Sequence, residues 1–304
     1  MLRTSLLAAA RSPWARNVVE RNPLSQPVVN RFVAGALTPD AVSATRSLVE
    51  SGRAVTIDYL GEDTTEVADA KHTVEAYSSL LSALSEQGLA AGADVSVKLS
   101  AVGQALPGDG HKIALDNARL IAEAASAVGA TLTLDMEDHT TTDSTLEILS
   151  ELRVDFPWVG AVLQAYLYRT EADARDLASA GSRVRLCKGA YREPDSVAYQ
   201  DKSEVDRNYV RVLRILMQGD GYPMVASHDP RIIAIAGELG AGRDFEYQML
   251  YGIRPGEQET IARRGDKMRV YVPYGVQWYG YFMRRLAERP ANLAFFLRAL
   301  ATRG

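Results

Sequence analysis

Four clusters of charged or polar residues in this chain stand where short apolar runs end. Lys98 lies in Ser96-Val97-Lys98-Leu99-Ser100, and Asp135 opens Asp135-Met136-Glu137-Asp138-His139. Arg185 and Lys188 belong to Arg185-Leu186-Cys187-Lys188-Gly189-Ala190-Tyr191, and Ser227-His228-Asp229-Pro230 is the fourth. A lysine so placed can anchor a carboxylate or phosphate, pair with an acid such as Asp135, or form a Schiff base if burial lowers its pKa. The acids around His139 invite a metal reading. Strand parity, however, turns Asp138 away from Asp135 and Glu137, so no metal is expected there. Gly189 permits a close backbone approach between Arg185 and Lys188, which suits a large anionic or polarisable cofactor. Asp229 before Pro230 reads as a helix N-cap rather than as part of a hydrolase triad, because no Gly-x-Ser-x-Gly elbow accompanies it. His228 fits either a cofactor contact or a structural role, and Cys187 reads as a small core residue.

A further set lies near the C-terminus. Tyr281, Arg284, Arg285 and Glu288 form one stripe of a helix expected from about Val276 to Glu288. Paired arginines backed by a glutamate make a bidentate clamp for a carboxylate. Trp278, Tyr281 and Phe282 make the same helix aromatic enough that part of it must be covered.

The elements that would position these groups follow from residue 54 onward. Short β-branched runs are expected as strands at 54–59, 94–99, 131–136, 159–164, 183–187, 223–226, 245–250 and 267–272, with helical patterns between them. The spacings are too long for hairpins and suit βα units, and eight such units make a (β/α)8 barrel. Within the strands, Val95, Val97 and Leu99 oppose Ser96 and Lys98, and Leu132 and Leu134 oppose Thr131, Thr133 and Asp135. Val184 and Leu186 oppose Arg183, Arg185 and Cys187, while Met268, Val270 and Val272 oppose Arg269 and Tyr271. The apolar faces should meet the helices, which leaves a polar, charged barrel interior. Barrel interiors are mostly aliphatic, and buried charges need partners or a ligand, so a ligand site at the C-terminal ends of the strands is expected. Residues 1–53 read as an N-terminal helical arm, with Thr38 capping a helix that begins at Pro39, and 54–304 as the barrel domain.

Composition sets the outer limits. The 304 residues carry 34 Lys+Arg against 38 Asp+Glu, a formal charge of −4, with a single cysteine. One cysteine forbids an intrachain disulfide and any multi-cysteine metal site. An acidic chain without basic runs is a poor nucleic-acid partner, so none is expected. No apolar stretch approaches the roughly 20 residues that cross a bilayer. Met1 to Val19 holds three arginines, no acid and a short apolar run, Leu6 to Ala10, too short for a signal core, so it reads as an amphipathic helix rather than a targeting peptide. No Gly-x-Gly-x-x-Gly follows a strand and no Walker motif appears, so Rossmann and P-loop readings lack their phosphate cradle.

Taken in order, eight motifs resemble those of the proline dehydrogenases, both the monofunctional bacterial enzymes and the corresponding part of bifunctional proline utilisation enzymes. They are Asp58-Tyr59-Leu60-Gly61-Glu62, Val97-Lys98-Leu99-Ser100, Leu134-Asp135-Met136-Glu137, Gln164-Ala165-Tyr166-Leu167, the Arg185 to Tyr191 run, Ser227-His228-Asp229, Gln248-Met249-Leu250-Tyr251-Gly252 and Arg284-Arg285-Leu286-Ala287-Glu288. The resemblance implies a distorted (β/α)8 TIM-type barrel with an N-terminal helical extension and non-covalent FAD. It implies oxidation of L-proline to Δ1-pyrroline-5-carboxylate, the first step of degradation to glutamate, with electrons passed to a membrane quinone. It implies that Lys98, Arg284 and Arg285 hold the substrate carboxylate, that Tyr271 and Tyr281 wall its ring, and that Asp135 orients the pocket beside Lys98. Arg185 would sit against flavin N5, and Met136, Gln164, Lys188, Gly189, Ala190, Ser227 and His228 would contact FAD. A cytoplasmic enzyme is expected, with peripheral contact at the inner membrane face and a Δ1-pyrroline-5-carboxylate dehydrogenase to take its product. Cys187 stands where valine is frequent in the family, and Ser227 where threonine is. Two other readings compete: a Schiff-base lyase using Lys98 or Lys188, and a non-catalytic protein that kept the barrel.

Overall fold

The computed structural model describes the backbone of residues 26–288 and the side chains from Val28 to Met283. The amphipathic reading of Met1–Val19 and the side chains of Arg284, Arg285 and Glu288 lie outside that range.

Among the described residues two helices, α1 (Gln26–Val29) and α2 (Thr38–Glu50), precede eight βα units. The strands are β1 (Ala54–Tyr59), β2 (Asp94–Val97), β3 (Thr131–Leu134), β4 (Gly160–Gln164), β5 (Arg183–Cys187), β6 (Tyr222–Ala226), β7 (Glu246–Leu250) and β8 (Met268–Tyr274). The helices that follow them in turn are α3 (Val67–Glu86), α4 (Gly110–Ala127), α5 (Thr142–Asp155), α6 (Thr170–Leu177), α7 (Lys202–Gln218), α8 (Pro230–Leu239), α9 (Pro255–Arg263) and α10 (Trp278–Glu288). All strands are parallel and close in chain order, with β8 paired to β1 from Ala54↔Arg269 to Tyr59↔Tyr274. The expected barrel is present. Strands β2 and β3 end earlier than expected, so Lys98 and Asp135 stand just beyond them, on the C-terminal rim.

The alternation read from the sequence builds the two faces of the wall. Val55, Ile57, Val95, Val97, Leu132, Leu134, Val184, Leu186, Val270 and Val272 join one buried cluster with the ring helices. The distortion lies in which helix closes the ring. Ala41 and Leu48 of α2 belong to that same wall cluster, whereas Tyr279, Tyr281, Phe282 and Met283 of α10 pack with Leu60, Leu250 and Ile253 at the C-terminal mouth. Thus α2 covers the seam between β8 and β1, and α10 lies over the opening. Thr38 is not the cap of α2 but its first helical residue; the Leu37 amide donates to Asp40 Oδ2 at 2.9 Å. Asp229 does cap α8, accepting the Arg231 amide at 3.0 Å.

Candidate active site

The interior face begins with a polar floor. Asp94, wholly buried on β2, accepts from Thr131 Oγ1 at 2.7 Å, Thr56 Oγ1 at 3.0 Å and Arg183 Nη1 at 3.2 Å. Beside it Arg269 donates to Glu246 Oε1 at 2.7 Å and to the Val55 carbonyl at 2.6 Å. Burial would raise the Asp94 carboxyl, but Arg183, Arg269 and Arg185 outweigh it and hold it below the ordinary range.

Above the floor the site centres on Asp135. Its Oδ1 accepts from Ser96 Oγ at 2.7 Å and Arg185 Nη1 at 2.8 Å, and its Oδ2 from the Tyr271 hydroxyl at 2.7 Å. Lys98 Nζ lies 3.6 Å from the same Oδ2 and 2.8 Å from Asp58 Oδ2. Arg185 also donates through Nε to Gln248 at 2.7 Å, and its guanidinium stacks 5.4 Å from the Tyr271 ring centre. Groups from β1, β2, β3, β5, β7 and β8 therefore meet in one network, because long side chains span the lumen where short ones would leave it hollow.

The electrostatics assign protonation states. Burial alone would lower the Lys98 ammonium; Asp58 and Asp135 overcome it and raise its pKa well above the lysine value. This is the wrong direction for a Schiff-base amine, which needs a free lone pair. Lys188 is paired with Asp206 and, at 3.1 Å, with Asp229. Burial, reinforced by Asp135, keeps the Tyr271 phenol well above its ordinary range, so it acts as a donor. Glu137 is pushed up to about 7 by burial, although Ser100 donates to it from its amide at 3.0 Å and from its hydroxyl at 2.6 Å.

The other expected contacts ring the mouth. Gln164 ends β4 and donates to the Glu137 carbonyl at 2.7 Å, and Met136 is buried outside the wall cluster. Gly189 adopts φ +109°, and a Cβ there would come within 2.5 Å of the Tyr166 ring, so bare backbone is obligatory beside exposed Ala190. Ser227 Oγ accepts the Asp229 amide at 3.1 Å. His228 Nε2 accepts the Leu250 amide at 2.9 Å, which puts the proton of the neutral ring on Nδ1. Cys187 is not a core residue of the wall. It lies half-buried on the interior side with its Sγ 3.6 Å from the Leu163 carbonyl, and burial pushes its thiol up to about 11, which makes it unreactive. Tyr281 is buried in the α10 cluster, while Arg284 and Arg285 are placed only as positions on that helix.

Several members were not singled out from the sequence. Asp58 and Gln248 obey the same parity as Lys98 and Arg185, and applying it to β1 and β7 finds them. Glu193 has no comparable local signal: it leaves β5 by a loop and pairs with His139 and with Tyr166. That partner accounts for the histidine of the acidic run. Among the described residues no helix is long and apolar enough to cross a membrane.

Comparison with known proteins identifies the family. The proline dehydrogenase family model matches residues 41–298. The chain is 40% identical over 275 residues to proline dehydrogenase 1 of Bacillus subtilis, covering 89% of each protein. It is 39% identical over 307 residues to the proline dehydrogenase of Deinococcus radiodurans, covering 99% of this chain and 98% of that one. The structure of proline utilization A from Bdellovibrio bacteriovorus superposes with a TM-score of 0.82 at 24% identity, over 96% of this chain and 35% of that one, and shares the fold. With a matching model across most of its length and relatives of nearly equal extent, the chain belongs to the proline dehydrogenase family.

Proposed function

We propose that this enzyme oxidises L-proline to Δ1-pyrroline-5-carboxylate with FAD as resident cofactor and a quinone as electron acceptor, opening proline degradation to glutamate. The observation that carries the reading is the Asp135 network: Lys98, Arg185, Ser96 and Tyr271 fixed on one carboxylate at the mouth of a barrel of this family.

The mouth fits a flavin. Gly189 offers backbone where any side chain would strike Tyr166, and Arg185 presents a buried guanidinium beside it. Met136, Gln164, Lys188, Gly189, Ala190, Ser227 and His228 would hold the group. When bound, FAD accepts the two electrons as hydride at N5. The protein does the rest. Lys98, already locked in its charged form, joins Arg284 and Arg285 in taking the substrate carboxylate. Tyr271 and Tyr281 wall the ring, and Asp135 holds Tyr271, Arg185 and Lys98 in one geometry, which gains rate through orientation. Arg185 supplies fixed positive charge where negative charge develops.

The C–H bond beside the nitrogen breaks as the C=N bond forms, so the amine must first be neutral. Activity therefore rises with pH above neutrality. We take 1–53 as the helical arm and 54–304 as the barrel domain. The enzyme works from the cytoplasm against the inner membrane face, handing product to a Δ1-pyrroline-5-carboxylate dehydrogenase, with no nucleic-acid partner. The test is an absorbance spectrum of the pure protein. A yellow protein bleached by anaerobic L-proline supports the reading; a colourless one that takes up no FAD ends it.

A further inference from the structure

Two motif residues have no part in the network around Asp135: Leu60 within Asp58–Glu62, and Gly252 at the end of Gln248–Gly252. Both touch the segment that precedes α2. Gly252 has φ +70°, and a Cβ built on it would lie 1.6 Å from the Arg31 carbonyl oxygen. The left-handed backbone and the contact together require glycine, since even alanine would drive the Arg31 carbonyl away. Just beyond, the Ala34 amide donates to the Pro273 carbonyl at 2.9 Å, and the Gly275 amide to the Gly35 carbonyl at 2.9 Å. The segment is thereby stitched to the end of β8 on one side and seated on the β7–α9 loop on the other.

Between these ties Phe32 points into the α10 cluster. Its ring centre lies 6.3 Å from that of Phe282, and both rings are fully buried. Val28, Val29 and Val33 surround the same contact together with Leu60, Ile253, Tyr281 and Met283. Trp278 packs on Phe282 from α10 itself, with ring centres 5.8 Å apart. The apolar face of α10 is therefore buried largely against this segment. Among the described residues, the main wall cluster, which holds α2, contains none from α10.

We infer that Val28–Gly35 is a clasp that sets α10 over the barrel mouth, and that Phe32 is a positioning residue for recognition of an amino-acid carboxylate by the Tyr281, Arg284 and Arg285 stripe. The inference rests on the proposed function, because it is the substrate clamp that the clasp positions. Removing the Phe32 ring leaves the Asp135 network and the Gly189 end of β5 untouched. It frees α10 to shift, so loss is confined to ligand capture.

The experiment uses the full-length, FAD-loaded enzyme. Calorimetric titration with tetrahydrofuran-2-carboxylate, a proline analogue that lacks the amine, is compared for wild type, Phe32→Ala and Phe32→Leu. Phe32→Ala is expected to bind about tenfold more weakly and to raise KM for proline by a similar factor. Flavin content and kcat at saturation should hold within about twofold, and Phe32→Leu should restore most of the affinity. Gly252→Ala, acting through the Arg31 carbonyl and its own left-handed backbone, should give the same KM-directed loss. If Phe32→Ala does not fold, Phe32→Val carries the same comparison. Binding of the analogue within twofold of wild type in these variants, or a fall in kcat with KM unchanged, overturns the clasp. A wild-type enzyme that holds FAD yet ignores the analogue overturns the functional reading itself.

Discussion

The floor and the mouth of this barrel are both lined with charge, but they satisfy it differently. On the floor, Asp94 and Glu246 meet Arg183 and Arg269, and every carboxylate oxygen faces a threonine, tyrosine or arginine donor. In the mouth, Asp58 and Asp135 meet Lys98 and Arg185, yet the Asp135 side chain stays 14% exposed while that of Asp94 is at 0%. The floor's carboxylates are sealed from solvent. The mouth has matched its own charges and still opens to the side from which α10 comes. Lys98 is shared between Asp58 and Asp135, so in the proposed function a substrate carboxylate needs cations besides Lys98, the role proposed for Arg284 and Arg285. Arg185 joins the layers, since its Nη2 reaches Asp94 at 3.4 Å while its Nη1 holds Asp135.

The largest effect that separates the layers is in stability. Asp94→Asn leaves Arg183 and part of Arg185 without countercharge around a fully buried side chain, and is expected to cost about 3–5 kcal/mol in denaturant unfolding. Asp135→Asn should cost less than half of that, because water enters the mouth, while lowering kcat/KM by orders of magnitude. Equal stability losses would break the distinction. Because the Asp94 carboxyl is depressed, its contribution is complete above the ordinary aspartate range and is lost as pH falls through the lowered value.

Much of the two layers is legible in the sequence alone, and the gaps have physical reasons. Alternation places Ser96, Lys98, Asp135, Arg183, Arg185, Arg269 and Tyr271 on one face, because strand parity is local. Pairing is not local. Whether Lys98 meets Asp58 or Asp135 depends on β1–β2 register and side-chain reach, and Arg183 reaches Asp94 across 89 residues only because the sheet closes. The place of α10 is hidden for a similar reason. Its stripe is visible, but the face it buries is completed by Phe32, some 250 residues away in sequence, across a contact no periodicity encodes.

The next effect uses pH. Glu137 ionises at about 7 in the folded enzyme against 4.5 as an ordinary glutamate, so the folded state holds the extra proton between those values. Stability therefore falls as pH rises from about 4.5 to 7, by on the order of 3 kcal/mol. Glu137→Gln keeps an acceptor for the Ser100 amide and should flatten that slope in urea unfolding series at pH 5 and 7.5. A slope unchanged in the variant would mean that Glu137 is solvated, and that the mouth is wetter than its geometry indicates.

A smaller effect tests the source of the missing cation. Arg285→Met removes one charge-assisted pair to the substrate carboxylate, worth about 1.5–3 kcal/mol. Steady-state assays should show KM for proline rising about ten- to a hundredfold, with FAD retained on gel filtration. Loss of flavin at unchanged proline affinity would assign Arg285 to the cofactor and leave the mouth without its extra cation.

The finest comparison sets one hydroxyl in each layer against the other. Tyr271 donates to Asp135 Oδ2 at 2.7 Å from a half-buried ring, and Thr133 donates to Asp94 Oδ2 at 3.0 Å in full burial. In Tyr271→Phe the ring and its contact with Arg185 persist and a water can take the vacated place on Asp135, so the stability loss is about 1 kcal/mol. In Thr133→Val no water can follow. Asp94 loses one charge-assisted donor while Oδ2 keeps Thr56 at 3.0 Å and Arg185 at 3.4 Å, and with no water to replace it the cost moves toward about 2 kcal/mol. Measured side by side, a Tyr271→Phe loss equal to or larger than that of Thr133→Val would show that the mouth is as closed as the floor. Its opening would then have to be made by movement of α10 rather than standing ready in the folded barrel.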